Sequence, residues 1–140
     1  MCLDTYHDEP KIADRDITAY KVVKAPMYAK YYISPYRGEM YMNRDIKDSK
    51  LGTYQAFLYG SAYTVVEEGL HTICSKKEAF NLASQFTNGA VMKCIIPKGT
   101  KYFEGRFSRA YNSYASARLV VGRRIGYNWL SDLYHRFTGH

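Results

Sequence analysis

Short runs of β-branched and aromatic residues, closed by glycine or proline, recur along the chain between residues 17 and 121. Such runs are typical of β-strands, because these side chains pack well on a pleated surface. The pair Gly60-Ser61 lies between two of the runs and indicates a hairpin turn. We predict strands at 17–23, 28–34, 53–59, 62–66, 90–96, 102–105 and 114–121, and an irregular connection over 38–50.

One short helix interrupts this pattern. Ser75 and Glu78 have the spacing of a capping box, in which the serine accepts a hydrogen bond from the third helical amide. Apolar residues then recur at helical spacing, which predicts a helix over 76–86, closed by the Asn-Gly pair at 88–89. A second amphipathic helix is predicted over 128–137. The order of elements predicts an α+β domain with a mostly antiparallel β-sheet, one short central helix and a C-terminal helix.

The length and composition are those of one globular domain. The 140 residues are 46% hydrophobic and 24% charged, which excludes a disordered tail, and the absence of any run of 18 apolar residues excludes a membrane-spanning helix. Residues 1–16 are predicted to be a polar, mobile leader and 17–140 a single domain. The three cysteines are odd in number and lack C-x-x-C spacing, so we expect free thiols, a reducing cytoplasm and no cysteine-bound metal.

The net charge of +7 is confined to one part of the sequence. Residues 1–78 hold 11 basic and 11 acidic residues, whereas residues 79–140 hold nine basic residues against two acidic ones. Arginine exceeds lysine in that second part, which suits bidentate contacts to phosphate or carboxylate. The excess indicates either a site for an anionic partner or a solvated basic surface that maintains solubility.

Tyrosine is concentrated in the opposite part of the chain. Ten of the 15 tyrosines precede His71, and a tyrosine can stack on a base while its hydroxyl meets a polar group. Half-buried positions on a sheet are the alternative explanation for any one of them. The pair Tyr36-Arg37 follows Ser34-Pro35 and predicts the corner of a pocket, where an aromatic ring and a guanidinium lie together.

No arrangement typical of catalysis is present in the sequence. It contains no glycine-rich phosphate loop, no G-x-S-x-G elbow and no histidines at metal-ligand spacing. We therefore predict no cofactor and favour a non-catalytic protein. His71 precedes the capped helix and is either a site residue or a structural histidine at a strand end. The predicted ligand-binding residues are Tyr20, Lys21, Tyr36, Arg37, His71, Arg106, Arg109 and Arg118.

Several stretches carry a family resemblance. The segments Gly69-Leu70-His71-Thr72, V-M-K-C-I-I-P-K-G-T-K-Y over 91–102 and Tyr114-Ala115-Ser116, with the strand at 17–22, resemble a group of uncharacterised small proteins of gut bacteria and their phages. More weakly, the order of elements is similar to the ADP-ribosyltransferase fold. In that comparison Lys21 stands at the position of a first-strand arginine or histidine, and Glu104 is the only glutamate after Glu78. The late strand lacks an acid, so the resemblance implies a degenerate, non-catalytic pocket.

These observations favour a binding protein for a phosphorylated small molecule, a nucleotide or a nucleotide-derived signal. In a phage, as the resemblance implies, such a protein would sequester an immune signal. A nucleic-acid-binding module and an ADP-ribosyltransferase-like enzyme using Lys21, His71 and Glu104 are the alternatives. A further alternative is an interaction protein that docks on its partner through the helix over 128–137. The expected partners are an anionic small molecule or a nucleic acid. A homo-oligomer is a further alternative, and no interaction with a membrane is expected.

Overall fold

The computed structural model describes residues 3–5, 7–25, 32–33, 40–41, 44–108 and 110–125. Thirteen strands and one helix are formed within these ranges. In chain order they are β1 (Leu3–Thr5), β2 (Lys11–Ile12), β3 (Ile17–Lys24), β4 (Tyr32–Ile33), β5 (Met40–Tyr41), β6 (Ile46–Asp48), β7 (Gly52–Leu58), β8 (Ser61–Glu68), β9 (Leu70–Ile73), α1 (Lys76–Ala83), β10 (Gly89–Ile96), β11 (Lys101–Phe107), β12 (Tyr111–Ser116) and β13 (Arg118–Ile125).

All strand pairs of the described chain are antiparallel and belong to one sheet. The strand order is β6-β13-β10-β3-β9-β12-β11-β1-β8-β7, with β2 beside β11 and β4 joining β3 to β5. Helix α1 packs on β3, β9 and β10. Within the described ranges, no helix has the length and apolar character needed to cross a membrane.

The predicted α+β class is wrong, because the described chain is a nearly all-β sheet with a single short helix. The C-terminal helix predicted over 128–137 lies outside the described residues. The central helix is present and ends at Ala83, three residues earlier than predicted. Its Ser75 side chain accepts a hydrogen bond from the Glu78 amide at 3.4 Å, as the capping box requires.

Three other features of the sheet differ from the prediction. The run 114–121 is two strands, because the chain leaves the sheet at Ala117, whose amide donates to the Lys101 carbonyl at 3.0 Å. The irregular connection predicted over 38–50 contains β5 and β6. The hairpin turn is formed by Tyr59 and Gly60 rather than by Gly60-Ser61, since both have positive φ, +52° and +80°.

The N-terminal segment is part of the sheet and is not a mobile leader where the structure describes it. β1 lies between β8 and β11, and Leu3 is fully buried beside Val66 and Phe103. Ala13 is buried as well, and its amide donates to the Thr100 carbonyl at 2.9 Å. Sequence reasoning missed Leu3 and Ala13 because the residues around them are mostly polar.

Successive side chains of the central strands point to opposite faces of the sheet. They form two apolar clusters, one on each face. On the helix face, Val22 and Val91 pack with the buried side of α1. On the opposite face, Val23, Met92 and Val121 form the larger cluster. A bulge shifts the register of β13 against β10 between Met92 and Cys94. The extra β13 residue moves Ile125 onto the helix face, where it packs with Val91.

The turn of the β7–β8 hairpin contains backbone strain that a substitution should relieve. Tyr59 has φ +52°, and its side chain is 98% exposed, so no packing compensates for the conformation. Asparagine tolerates this region and is favoured before glycine in such turns. We expect Tyr59→Asn to raise the free energy of unfolding by up to about 1 kcal/mol in urea denaturation. Unchanged or lower stability would contradict this assignment of the turn.

Candidate ligand-binding site

A basic cavity of about 320 Å³ lies beside the turn between β10 and β11. Its charged lining residues are three cations, Lys98, Lys101 and Arg118, and one carboxylate, Asp48. Arg118 Nε lies 2.6 Å from Asp48 Oδ1, and this exposed pair anchors β6 to β13. The cavity therefore has an excess of positive charge and favours an anion.

The turn that carries the two lysines is held in place by backbone hydrogen bonds. The Thr100 amide donates to the Pro97 carbonyl at 3.1 Å, and Gly99 between them has φ +87°, which favours glycine. The Gly99 amide also donates to the Ala13 carbonyl at 2.8 Å. The Lys98 amide donates to Asp16 Oδ1 at 2.9 Å, so the segment from Ala13 to Asp16 braces the turn.

A second cavity, of about 440 Å³, is lined in part by residues of this bracing segment. One wall consists of Tyr102 and Tyr114, whose ring centres are 5.7 Å apart in an edge-to-face arrangement. The remaining lining residues are Asp14, Arg15, Asp16, Ile17 and Thr18. Two half-buried aromatic rings provide a surface on which a flat ligand can pack. Because the charged residues here are mostly acidic, this cavity suits a phosphate less well than the basic one.

A thiol and a phenol are hydrogen-bonded beside this wall. Burial raises the pKa of the Cys74 thiol to about 12, although its hydrogen bond to Tyr114 opposes the shift, and the charges of Glu104 and Glu78 raise it further. Burial, followed by the Cys74 interaction, raises the pKa of Tyr114 above its ordinary value. Both groups are therefore neutral at pH 7. Cys74 does not have the lowered pKa of a nucleophilic cysteine.

Because the Cys74 thiol is protonated, we expect it to react slowly with alkylating reagents. Because the thiolate is the reactive form, we expect iodoacetamide to modify Cys74 in the folded protein more than about tenfold slower than in urea at the same pH of 8. Peptide mass spectrometry separates Cys74 from Cys94, whose pKa burial raises to about 11. Equal rates for Cys74 in folded and unfolded protein would show that its thiol is accessible and ionised.

Lys21 and His71, both predicted as ligand-binding residues, are buried. The Lys21 ammonium donates to the His71 backbone carbonyl at 3.0 Å and so joins β3 to β9. The His71 ring lies on the same side of the sheet as Ile73, because residues two apart along a strand share a face. Lys21 shares a face with Ala19 and Val23, so the two side chains lie on opposite faces. The structure therefore does not bring them together in one site.

The other predicted residues are dispersed. Tyr20 is half-buried against the helix-face cluster, and Arg106 is exposed on β11 opposite Asp4 and Asn112. Arg118 is the one predicted residue that lines a described cavity. Three predicted residues lie outside the described residues: Tyr36, Arg37 and Arg109.

The cavity residues that sequence reasoning missed include the two lysines and the two tyrosines that give the cavities their character: Lys98, Lys101, Tyr102 and Tyr114. The turn Pro97-Lys98-Gly99-Thr100, followed directly by Lys101 and Tyr102, was a usable signal, because it places two cations and an aromatic residue around one tight bend. Tyr114 gave no such signal, since its pairing with Tyr102 depends on the distant register between β11 and β12. Over the ranges that the structure describes, no group of three His, Cys, Asp or Glu side chains could hold a metal ion.

Comparison with known proteins identified no relative. No family model matches the sequence, and no curated protein or solved structure is significantly similar to the chain. The function is therefore inferred from the two cavities.

Proposed function

We propose that the protein binds a phosphorylated small molecule, a nucleotide or a nucleotide-derived signal, and does not transform it. The observation that carries the proposal is the basic cavity with Lys98, Lys101 and Arg118 around one carboxylate, Asp48. A phosphate would be held by the two lysines and would compete with Asp48 for the Arg118 guanidinium. Arginine and lysine are the usual partners of phosphate oxygens.

The cavity walled by Tyr102 and Tyr114 supports the nucleotide part of the proposal. It holds about 440 Å³, which is within the range of small-molecule sites, and it offers aromatic surface for a base. The hydrogen bond from the Lys98 amide to Asp16 connects a residue of the basic cavity with a residue of this one. A ligand with a ring and a phosphate would use both kinds of surface.

Thermal unfolding in the presence of linear and cyclic nucleotides tests the proposal. A ligand at one hundred times its dissociation constant stabilises the folded protein by about 2.7 kcal/mol, which corresponds to a rise of several degrees in Tm. The corresponding nucleosides should give a smaller shift, because they cannot use the basic cavity. A panel in which no nucleotide raises Tm would count against the proposal.

A charge-matched pair of variants locates the binding. We expect Lys98→Gln, Lys101→Gln and Arg118→Gln together to weaken nucleotide binding by at least about tenfold, since each removes a charged contact to phosphate. The control replaces Lys77, Lys93 and Arg123 by glutamine, which removes the same charge from exposed positions elsewhere. Isothermal titration calorimetry compares the two triple variants. Equal losses in both would indicate a diffuse electrostatic effect and not a site.

Salt dependence distinguishes this proposal from nucleic-acid binding. Contacts to many phosphates release counterions, so the affinity for a nucleic acid falls steeply with salt. A single nucleotide makes few phosphate contacts and gives a shallow dependence. Tight binding of a random-sequence oligonucleotide with a steep salt slope, and no binding of mononucleotides, would favour the nucleic-acid alternative instead.

A further inference from the structure

Strand β7 ends the sheet opposite β6 and is unlike most edge strands. Its seven residues, Gly-Thr-Tyr-Gln-Ala-Phe-Leu, contain no charge and no proline. Proteins commonly protect an edge with lysine, proline or a very short strand, since unpaired backbone groups invite another strand. The register of β7 shifts only at its first residues, between Gly52 and Thr53. The remainder of the strand is a regular edge.

The hairpin register shows which backbone groups face outward. The two-residue turn makes Leu58 and Ser61 a hydrogen-bonded pair, and such pairs alternate with non-bonded ones along an antiparallel ladder. Three β7 residues stand at the non-bonded positions and direct their amide and carbonyl groups away from β8. They are Thr53, Gln55 and Phe57, opposite Val66, Thr64 and Ala62.

Side chains on both faces of β7 are open to solvent. Thr53 and Gln55 are exposed, Phe57 is 74% exposed, and Tyr54 on the other face is 45% exposed. No strand of the described chain pairs with the outer edge of β7. Gln55 is nevertheless fixed in orientation, because its side-chain amide donates to Thr64 Oγ1 at 2.9 Å. The edge is therefore long, ordered by its hairpin and not covered by any strand of the described chain.

The opposite edge has the usual protection. β6 is three residues long and contains Lys47 and Asp48. Both charges are engaged, Lys47 with Asp45 at 3.8 Å and Asp48 with Arg118 at 2.6 Å. The edge strand β6 is thus short and charged, whereas the edge strand β7 is long and uncharged.

We infer that β7 is a dimerisation edge, at which a second copy of this chain adds its own β7 in antiparallel orientation about a twofold axis at Gln55. Thr53 of one copy then faces Phe57 of the other, and the outward groups of three residues form about six backbone hydrogen bonds. An uncharged strand suits its own copy, because a twofold pairing places equal or nearby positions opposite one another. No like charges oppose each other along β7, and the exposed Phe57 rings lie over Thr53 of the partner.

Oligomeric state in solution tests the inference. Sedimentation velocity of the full chain at micromolar concentration should give about twice the 16.2 kDa mass of one chain. Replacing Thr53 and Phe57 both by lysine places two pairs of like charges across the twofold axis. We expect the dimer dissociation constant to rise at least tenfold, about 1.4 kcal/mol.

A charge-swap variant makes the test specific to the register. Thr53→Lys combined with Phe57→Glu puts opposite charges at the same facing positions, so this variant should remain dimeric. Ile46→Lys, at an exposed position of the β6 edge, should leave the dimer unchanged. The circular dichroism spectrum and Tm of each variant check that the positions, exposed in the monomer, do not unfold it.

Three results would overturn the inference. The first is a wild-type chain that sediments as a monomer over the whole concentration range. The second is a dimer that Thr53→Lys with Phe57→Lys leaves intact, which would place the interface elsewhere. The third is a Lys–Glu variant that dissociates as fully as the Lys–Lys variant, which would exclude the antiparallel register about Gln55.

Discussion

Replacing Leu3 by alanine is expected to lower the free energy of unfolding by about 2–5 kcal/mol. The Leu3 side chain is fully buried between Val66 and Phe103, and β1 lies between two other strands. Truncation removes apolar contacts and leaves a cavity that the surrounding strands cannot fill without moving. Because a typical domain has a stability of only 5–15 kcal/mol, this loss is a large fraction of it.

Ile12→Ala is the matched control for this truncation. Ile12 lies in β2, in the same N-terminal segment, and it is 64% exposed. Its replacement should change the free energy of unfolding by less than about 0.5 kcal/mol. Guanidinium denaturation followed by circular dichroism measures both variants. A small effect for Leu3→Ala would show that β1 is dispensable and would restore the interpretation of residues 1–16 as a leader.

Gly122→Ala is expected to destabilise the protein by about 1–3 kcal/mol. A Cβ atom at this position would lie 2.2 Å from the Lys93 carbonyl oxygen, which belongs to the backbone of β10. The backbone must then shift at the bulge that places Val121 and Ile125 on different faces of the sheet. A clash with a backbone atom cannot be relieved by rotating a side chain. The paired strands β10 and β13 must therefore shift, which lowers the free energy of unfolding.

The neighbouring substitution Arg123→Ala separates this steric effect from a general effect of altering β13. Arg123 is exposed, and its replacement should change the thermal midpoint by no more than a degree or two. Calorimetric unfolding of the two variants gives the comparison. Equal midpoints for Gly122→Ala and the wild type would mean that the strands are not as close as the structure places them.

Local chemistry made part of the fold predictable. The strand at 17–23 and the capped helix beginning at Lys76 are present, because β-branched residues and a Ser-x-x-Glu box act within a few residues of chain. The strand over 90–96 is present within one residue of its predicted start. In each case the signal and the structure it specifies lie in the same segment.

The elements that sequence patterns missed depend on distant partners. β9 has one polar residue and a histidine among its four buried positions, so no alternation marked it as a strand. β1 gains its burial from β8 and β11, which come more than 50 residues later. The fold class was wrong for the same reason, because the number of short strands depends on pairings that no local pattern encodes.

The candidate site was only partly predictable for a related reason. Arg118, which was selected from the basic excess after residue 78, lines the basic cavity. Lys21 and His71 were selected for their chemistry, but both are buried and connect two strands through a backbone carbonyl. Residue type indicates what a side chain can do, whereas the sheet register decides whether it reaches a cavity.

A nucleotide titration followed by ¹H–¹⁵N NMR tests whether an anionic ligand binds between the β10–β11 turn and β13. We expect saturable shifts of the amides of Lys98, Gly99, Lys101 and Arg118, with further shifts at Tyr102 and Tyr114. Inorganic phosphate should reproduce only the shifts of the basic cavity. Saturable shifts confined to other parts of the sheet, or no shift with any nucleotide, would contradict binding at this site.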